Sequence, residues 1–289
     1  MENWKDLLSS SEYTILEKIG EGAMGIVLKA KLQGKMIALK VISPKVSKKR
    51  DFQKRFLREM QVVATLDHPN IVKAIDFGVD LEKDIYFVAL EYIDGKSLKQ
   101  IIDEKGRVPL LLALEIGKQI AAGLQHAYEN DVVHRDIKPD NILIGRDSCV
   151  KITDFGLVKG VEGKEKPKGL AGQKITSKQV ILGSPLYMAP ERALLKPLDI
   201  RSDIYSLGVT LFHALTGRPP YIHKSSVRII AAHAYEPFPK PSEYLSGLPP
   251  QVDDFIMKAT AKKPEDRFQT PKECHQRLVE MILELKKSK

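Results

Sequence analysis

The sequence predicts an α+β protein with two lobes, because a β-rich first third precedes a mostly helical remainder. The chain has 289 residues, which is long for one average domain and short for three. Short apolar runs rich in β-branched residues fill the first third, and longer runs with helical periodicity follow. Between them, an apolar run gives way to a polar glycine turn at residues 91–95, where we place the boundary between the lobes.

The first lobe is predicted to hold several strands and one helix. Residues 26–32 and 36–42 form short β-rich runs, and the sequence between them contains Gly34, as a hairpin turn requires. A helix is predicted over residues 48–66, because its apolar residues recur at helical spacing and form one stripe. These residues are Phe52, Phe56, Met60 and Val63. Residues 85–90 are predicted to form another buried strand.

The second lobe is predicted to consist mainly of helices, over residues 110–128, 200–215, 252–260 and 271–285. Pro109 is expected at the start of the first of these helices. Gly217, followed by two prolines, is expected to end the second. Residues 160–178 are rich in Gly, Lys and Glu and lack periodicity, so we expect a mobile surface loop there.

Composition narrows the class of protein. Hydrophobic residues make up 43% of the chain and charged residues 29%, which allows a sizeable core. The net charge of +9 permits acidic partners, but basic residues are not interleaved with aromatic platforms, so no nucleic-acid partner is expected. Two cysteines cannot form a disulfide framework, and no signal core or membrane-spanning apolar run is found. We therefore expect a cytoplasmic protein without a membrane segment in this chain.

The first chemical signal is a glycine-rich run that contains Gly20, Gly22 and Gly25. Glycines let backbone amides approach a phosphate where a side chain would collide. The spacing alone fits a dinucleotide-binding fingerprint, a hairpin that covers a nucleotide, or chance. A dinucleotide site needs a helix directly after the glycines, whereas here a strand continues from Ile26, and this argues against that interpretation.

Two charged residues of the first lobe are candidates for a shared role. Ala38 and Lys40 lie on one face of their strand, so the alanine can lie against a flat ring while the lysine reaches phosphate oxygens. Glu59 lies on the apolar stripe of the predicted helix, where a carboxylate is costly unless it is paired. We predict that it pairs with Lys40; a solvent-facing lysine and a surface glutamate are the simpler alternatives.

A cluster in the middle of the chain decides between these alternatives. In chain order it contains His134-Arg135-Asp136, Lys138, Asn141, Asp154-Phe155-Gly156 and Ala189-Pro190-Glu191. Their order and spacing match the signature set of protein kinases. The sequence therefore resembles the eukaryotic-like, or Hanks-type, serine/threonine protein kinases, and within them the bacterial branch. The resemblance covers nearly the whole chain, from residue 13 to about residue 285.

This resemblance implies a bilobal protein-kinase-like fold that binds ATP and Mg²⁺ between its lobes. The N-lobe is expected to be β-rich, with one key helix, and the C-lobe larger and helical. The implied boundaries are a lead-in at 1–12, a kinase domain at 13–285 and a basic tail at 286–289. Within the domain they are an N-lobe at 13–90, a hinge at 91–95 and a C-lobe at 96–285.

The resemblance also assigns residues to ATP. The glycine-rich run would cover the phosphates with Gly20, Glu21, Gly22 and Gly25. Lys40, held by Glu59, would contact the α and β phosphates. The adenine ring would lie between Val27 and Ala38 on one side and Leu143 on the other. The backbone of Glu91 and Ile93 would bind the adenine edge, and Leu90 would gate the back of the pocket.

Catalytic and metal-binding roles follow in the same way. Asp136 would accept or orient the proton of the substrate hydroxyl, Lys138 would steady the transferring phosphoryl group, and Asn141 and Asp154 would hold Mg²⁺. Lys40, through its contact with the α and β phosphates, is counted with the catalytic residues. The family further implies structural roles for other residues. Glu191 would form a buried ion pair with Arg267, and Asp203 would hold the backbone of the catalytic loop.

The implied substrates are Ser and Thr hydroxyls of proteins, because Lys138 stands in the string that such kinases carry. Arg135 suggests regulation by autophosphorylation, with Thr176 and Ser177 as candidate sites. An inactive pseudokinase scaffold and a small-molecule kinase are the alternatives. Lys40, Asp136 and Asp154 argue against the first, and the Ala-Pro-Glu segment argues against the second. A homodimer is possible by analogy with the family.

Overall fold

The computed structural model describes residues 12–22, 25–47, 52–155 and 184–287. The strands are β1 (Tyr13–Gly22), β2 (Gly25–Leu32), β3 (Lys35–Ile42), β4 (Ala74–Asp80), β5 (Ile85–Glu91), β6 (Gly95–Ser97), β7 (Ile142–Gly145) and β8 (Val150–Ile152). The first helices are α1 (Pro44–Ser47), α2 (Phe52–Val63), α3 (Leu98–Lys105) and α4 (Leu110–Glu129). They are followed by α5 (Pro190–Ala193), α6 (Ile200–Thr216), α7 (Ser226–Tyr235), α8 (Pro250–Ala259) and α9 (Pro271–Lys287).

The N-lobe is built on an antiparallel sheet with the strand order β1-β2-β3-β5-β4. The predicted hairpin is confirmed, because β2 and β3 are joined by Gln33 and Gly34, whose φ angles are 50° and 79°. Two successive positive φ angles match the right-handed twist of a two-residue hairpin, and glycine adopts them at little cost. One face of this sheet forms a small apolar core that includes Leu28, Ile37 and Leu39.

Helix α2 packs against this sheet through the predicted apolar stripe. Phe52 and Phe56 each contact the ring of Tyr86 on β5, with centroid distances of 5.2 and 5.5 Å. Met60 and Val63 on the same stripe are also buried. The prediction of a helix is confirmed over 52–63; residues 48–51 lie outside the described part, and the chain turns after Val63.

The C-lobe is organised around α4 and α6, and its large apolar core extends up to the stripe of α2. Gly117 lets α4 approach α6 closely, because a Cβ there would lie 2.8 Å from Leu211 Cδ1. Helix α6 ends at Gly217, whose φ is 76°, as predicted. Two predicted helix bounds differ: Pro109 is the N-cap of α4, not part of its first turn, and α9 ends at Lys287, not at Leu285.

The lobes are joined at the hinge and also through the segment that precedes β4. Val72 donates its N–H to the Ile152 carbonyl, and Ile152 donates to the Asn70 carbonyl, both at 2.9 Å. The Asn70 side chain donates to the Val150 carbonyl at 2.8 Å. Since β8 leads directly to Asp154, this second connection sets the position of that residue relative to the N-lobe.

No helix within the described ranges is both long and apolar enough to cross a membrane. The two cysteines are free thiols; Cys274 is buried and Cys149 is partly exposed.

Candidate active site

The loop between α4 and β7 carries the predicted catalytic residues, and Asp203 in the first turn of α6 holds its backbone. The Asp203 carboxylate accepts the N–H of His134 at 2.6 Å and that of Arg135 at 2.7 Å. Asp203 is completely buried, and burial raises its pKa above the usual range. Arg135 has a φ of 70°, which is costly for a side chain of this kind. The hydrogen bond from its N–H to Asp203 stabilises this conformation.

We expect Asp203→Ala to destabilise the protein, because two buried N–H groups lose their acceptor at about 1–3 kcal/mol each. Phosphate transfer should fall as well, since the same bonds orient the residues before Asp136. Urea unfolding and a transfer assay measure the two effects. Asp199→Ala is the control: Asp199 caps the exposed start of α6 and accepts the Arg201 N–H at 2.8 Å, so its loss costs about 1 kcal/mol. Equal costs for the two variants would contradict the role of Asp203.

Asp136, Lys138 and Asn141 form a hydrogen-bonded group in this loop. The carboxylate of Asp136 accepts from Lys138 Nζ at 2.6 Å and from Asn141 Nδ2 at 3.1 Å. Asn141 Nδ2 also donates to the Asp136 carbonyl at 2.8 Å, which leaves the amide oxygen of Asn141 as the acceptor on its other side. The side chains of Asp136 and Lys138 are 13% and 19% exposed, so this group is sheltered but accessible.

Asp154 lies beside this group and forms an ion pair with Lys40 of the N-lobe. Lys40 Nζ is 2.7 Å from Asp154 Oδ2, and the lysine is buried, which excludes the solvent-facing alternative. Burial alone would raise the pKa of Asp154, but the Lys40 ammonium lowers it below the usual range. Thr153, immediately before Asp154, donates its N–H to the Asn141 carbonyl at 3.0 Å.

The predicted ion pair between Lys40 and Glu59 is corrected by this geometry. Glu59 lies half-buried on α2 as expected, but the carboxylate that the Lys40 ammonium binds is that of Asp154. Asp154 has a φ of 70°, which turns its side chain toward the N-lobe, and one buried ammonium pairs with the carboxylate nearest to it. Helical periodicity predicted which face of α2 carries Glu59, but it could not predict which of the two carboxylates the Lys40 ammonium binds.

The His134 side chain fixes the residues that flank Asp154. Its Nε2 lies 2.8 Å from the Thr153 carbonyl, and its Nδ1 lies 3.2 Å from the Asp136 N–H. A carbonyl can only accept and an N–H can only donate, so Nε2 is the donor and Nδ1 the acceptor in these two hydrogen bonds. The ring also packs edge-on against Phe155 with a centroid distance of 4.5 Å. One imidazole thus connects the catalytic loop to the segment of Asp154.

The residues assigned to adenine come from strands of both lobes. Val27 pairs with Lys40 across β2 and β3, and Ala38 pairs with Leu90 across β3 and β5. Leu143 lies on β7 of the C-lobe, and all four apolar residues are half-buried. Partial exposure of apolar side chains from both lobes is typical of a cleft that receives a flat ligand.

The hinge connects β5 to β6. Glu91 at the end of β5 donates its N–H to the Lys73 carbonyl at 2.9 Å, so this N–H is already used within the protein. Its side chain pairs with Lys151 at 2.9 Å. Ile93 follows in the short segment before β6 and is half-buried.

The glycine-rich run forms the end of the β1–β2 hairpin. Gly20 pairs with Val27 and Gly22 pairs with Gly25, while residues 23 and 24 lie outside the described part. Gly25 has a φ of 146°, and a Cβ there would lie 1.8 Å from the Val41 carbonyl oxygen, so only glycine fits. Glu21 is exposed and pairs with Lys18, so its side chain points toward solvent.

The protein kinase domain family matches residues 13–279 of the chain. This chain belongs to the protein kinase family. Among curated relatives, the serine/threonine-protein kinase PrkC of Bacillus subtilis is 38% identical over 263 residues, which cover 90% of this chain and 39% of the relative. The serine/threonine-protein kinase PknB of Mycobacterium leprae is 33% identical, over 93% of this chain and 43% of the relative.

The same fold is found in solved structures. The crystal structure of the Mycobacterium tuberculosis PknI kinase domain matches with a TM-score of 0.73 and 27% identity, covering 94% of this chain and 97% of that one. The predicted two-lobed fold is therefore confirmed. The first curated relatives are much longer than this kinase chain, which spans 37% to 43% of their length.

The kinase residues present fit ATP and Mg²⁺ by the chemistry of their donors. The carboxylate of Asp154 and the amide oxygen of Asn141 are hard oxygen ligands of the kind that Mg²⁺ prefers. Lys40 brings a cation beside Asp154, and Gly25 allows a backbone path that a side chain would block. The residues present thus supply a cation and hard oxygen donors, which suit the phosphates of ATP and Mg²⁺.

A buried ion pair connects Glu191, on α5, to Arg267. Arg267 Nη2 lies 2.7 Å from Glu191 Oε2, and the two side chains are 0% and 5% exposed, which confirms the predicted pair. Ser202 donates to the other carboxylate oxygen of Glu191 at 2.6 Å. Burial opposes ionisation of Glu191, but its hydrogen bond and ion pair with Arg267 lower its pKa below the usual range.

Some predicted residues lie outside the described part, and one contributing residue was not predicted. Gly156, Thr176 and Ser177 fall within 156–183, which the structure does not describe. Arg192, directly after Glu191, donates to the Arg135 carbonyl and so helps to hold the catalytic loop. No spacing rule connects Arg192 to Arg135, which is 57 positions away, so only the fold reveals this contact.

Proposed function

We propose that this chain transfers the γ-phosphate of ATP to Ser and Thr hydroxyls of proteins, with Mg²⁺ as the metal. The observation that carries this proposal is the convergence of Asp136, Lys138 and Asn141 with the Lys40–Asp154 ion pair. When bound, ATP and Mg²⁺ supply the phosphoryl group and the charge that neutralises it. Membership of the protein kinase family supports the same function.

The residues of the catalytic loop perform complementary tasks in this proposal. Asp136 accepts the proton of the substrate hydroxyl and orients its oxygen. Lys138, held 2.6 Å from Asp136, places a positive charge where the transferring group becomes more negative. Asn141 orients Asp136 through Nδ2 and leaves its amide oxygen for the metal. Positioning and charge neutralisation are the main requirements of phosphoryl transfer.

Phosphate transfer from ATP with Mg²⁺, to the protein itself and to a generic basic protein, tests this function. We expect label on Ser or Thr, and loss of nearly all label in Lys40→Ala, because Asp154 then loses its buried partner. Lys31→Ala is the control, since Lys31 is exposed on the adjacent strand β2. ATP binding without transfer in the parent would favour the pseudokinase alternative, and absence of both would contradict the proposal.

We propose further that autophosphorylation at Thr176, Ser177 or both activates the kinase. Arg135 supports this, because its backbone is fixed next to Asp136 and a guanidinium there can bind a phosphate. The double variant Thr176→Ala, Ser177→Ala should keep ATP binding but lose the rise in activity that follows incubation with ATP. Mass spectrometry that finds both residues unmodified in an activated sample would contradict this regulation.

The free thiols of Cys149 and Cys274 fit a reducing compartment, and we propose a cytoplasmic location for this domain on that basis. Proteins are the proposed substrates. Dimerisation stays a prediction.

A further inference from the structure

A buried histidine of α7 contacts the segment that lies beside the catalytic loop. His233 is completely buried. Its Nδ1 lies 2.8 Å from the hydroxyl of Tyr205 on α6, and its Nε2 lies 2.9 Å from the carbonyl oxygen of Leu186. The imidazole therefore connects the central helix of the C-lobe to residues 184–189.

The chemistry of the two partners determines the proton position on His233. The Leu186 carbonyl can only accept, so Nε2 carries the proton and donates it. Nδ1 is then an acceptor, and the Tyr205 hydroxyl donates to it. Burial lowers the pKa of His233 to about 3, so the imidazole is neutral and keeps both hydrogen bonds. Leu186 is thus held by a directed donor.

The position of His233 is itself fixed from the other side. Lys262 Nζ donates to the His233 carbonyl at 2.9 Å and to the Ala232 carbonyl at 3.3 Å, which caps the end of α7. The guanidinium of Arg267, which pairs with Glu191, lies 4.9 Å from the ring centroid of Tyr205. The donor to Leu186 therefore has little freedom to move.

The segment held by His233 packs beside Asp136, around a small void with room for about one water molecule. Ser184, Tyr187 and Met188 line it together with Asp136 and Asp203. The segment has further contacts with α6, since Ser206 Oγ donates to the Tyr187 carbonyl at 2.9 Å. Helix α7 holds the backbone of this segment through the hydrogen bond from His233 to Leu186.

We propose that His233 is a positioning residue, which holds residues 184–189 so that a protein substrate can place its hydroxyl beside Asp136. The proposal rests on the proposed kinase function, because it takes Asp136 as the residue that meets the substrate hydroxyl. His233 is on α7 of the C-lobe, whereas Lys40 and most residues assigned to ATP are in the N-lobe or the hinge, so its effect should appear in the KM for protein substrate and not in the KM for ATP.

Two amide variants of His233 differ only in reach and test the proposal. In His233→Gln, the side-chain amide can place a donor near the position of Nε2 and keep the bond to Leu186. In His233→Asn, the amide is one carbon shorter and does not reach Leu186. Because one neutral hydrogen bond is lost, we expect His233→Asn to raise the KM for a peptide substrate by about three- to tenfold. His233→Gln should stay within about twofold of the parent.

A second measurement does not depend on activity. Hydrogen–deuterium exchange of the amides in residues 184–189 should become faster in His233→Asn and stay close to the parent in His233→Gln. His275→Asn, at a histidine of α9, is the control and should change neither readout. Equal exchange and equal KM in the two His233 variants would overturn the proposal, as would a matching rise in the KM for ATP. A parent without transfer activity would refute the proposed function, while the exchange experiment would still decide whether His233 holds the segment.

Discussion

We expect Asp136→Asn to lower the rate of phosphate transfer by about 10²- to 10⁴-fold, which is the usual contribution of a general base, the role proposed for Asp136. The carboxylate of Asp136 is the acceptor for Lys138 at 2.6 Å and for Asn141 at 3.1 Å. An amide of the same size keeps the shape of the loop but removes the negative charge and the proton-accepting oxygen. Single-turnover transfer to a peptide measures the loss, and ATP titration shows whether binding survives.

Asp140→Asn is the matched control for this prediction. Asp140 lies in the same loop, four positions after Asp136, but it is exposed. The two variants remove the same charge from nearly the same place, so a general electrostatic effect would appear in both. We expect Asp140→Asn to retain activity within about twofold, as for a solvent-screened charge. Comparable losses in the two variants would show that Asp136 acts by charge alone and has no specific catalytic role.

Sequence patterns within a few residues predicted the helices and turns that are determined by neighbouring residues. The apolar stripe of α2 follows from helical spacing, and the β2–β3 hairpin follows from Gly34. Helix α3 was missed although its signal is present: Ser97 and Gln100 form a capping box directly before an apolar run.

The candidate site was predictable as a set of residues but not as a set of contacts. Motif spacing identified the candidate residues, because kinases carry these residue types at characteristic spacings. They are Lys40, Asp136, Asn141 and Asp154. The choice of Lys40 between Glu59 and Asp154 depends on where β8 places Asp154 relative to β3. That position is set by the bonds of Ile152 with Asn70 and Val72, which are long-range and have no local signal.

The His233 contact illustrates the same limit in the C-lobe. Helix α7 was not predicted, and neither was its buried histidine, because a lone His in an apolar run is most often part of a core. Only the fold shows that its Nε2 faces the Leu186 carbonyl, 47 positions earlier in the chain. Hydrogen bonds between segments that are distant in the sequence position the residues of the site, and hydrophobic periodicity does not predict such bonds.

Arg267→Ala destabilises the protein by about 3–5 kcal/mol, because it leaves the buried carboxylate of Glu191 without its cation. The Arg267 side chain also donates to the carbonyls of Ala261 and Arg201 at 2.8 and 2.7 Å, and these bonds are lost as well. Chemical denaturation followed by circular dichroism measures the change. Arg277→Ala is the control: Arg277 pairs with Glu280 at 3.0 Å on the surface, where such a pair contributes about 1 kcal/mol or less.

The cost of Arg267→Ala should decrease on acidification, and this separates the lost ion pair from lost packing. In the parent, the lowered pKa of Glu191 means that its ion pair stabilises the fold above the ordinary pKa of 4.5 and that this contribution is lost as the pH falls through the folded-state value. In the variant, burial without the cation raises the pKa of Glu191, so protonation relieves the penalty at a higher pH. The difference in unfolding free energy should therefore narrow between about pH 7 and about pH 4. A difference that stayed constant over this range would assign the cost to packing around the guanidinium.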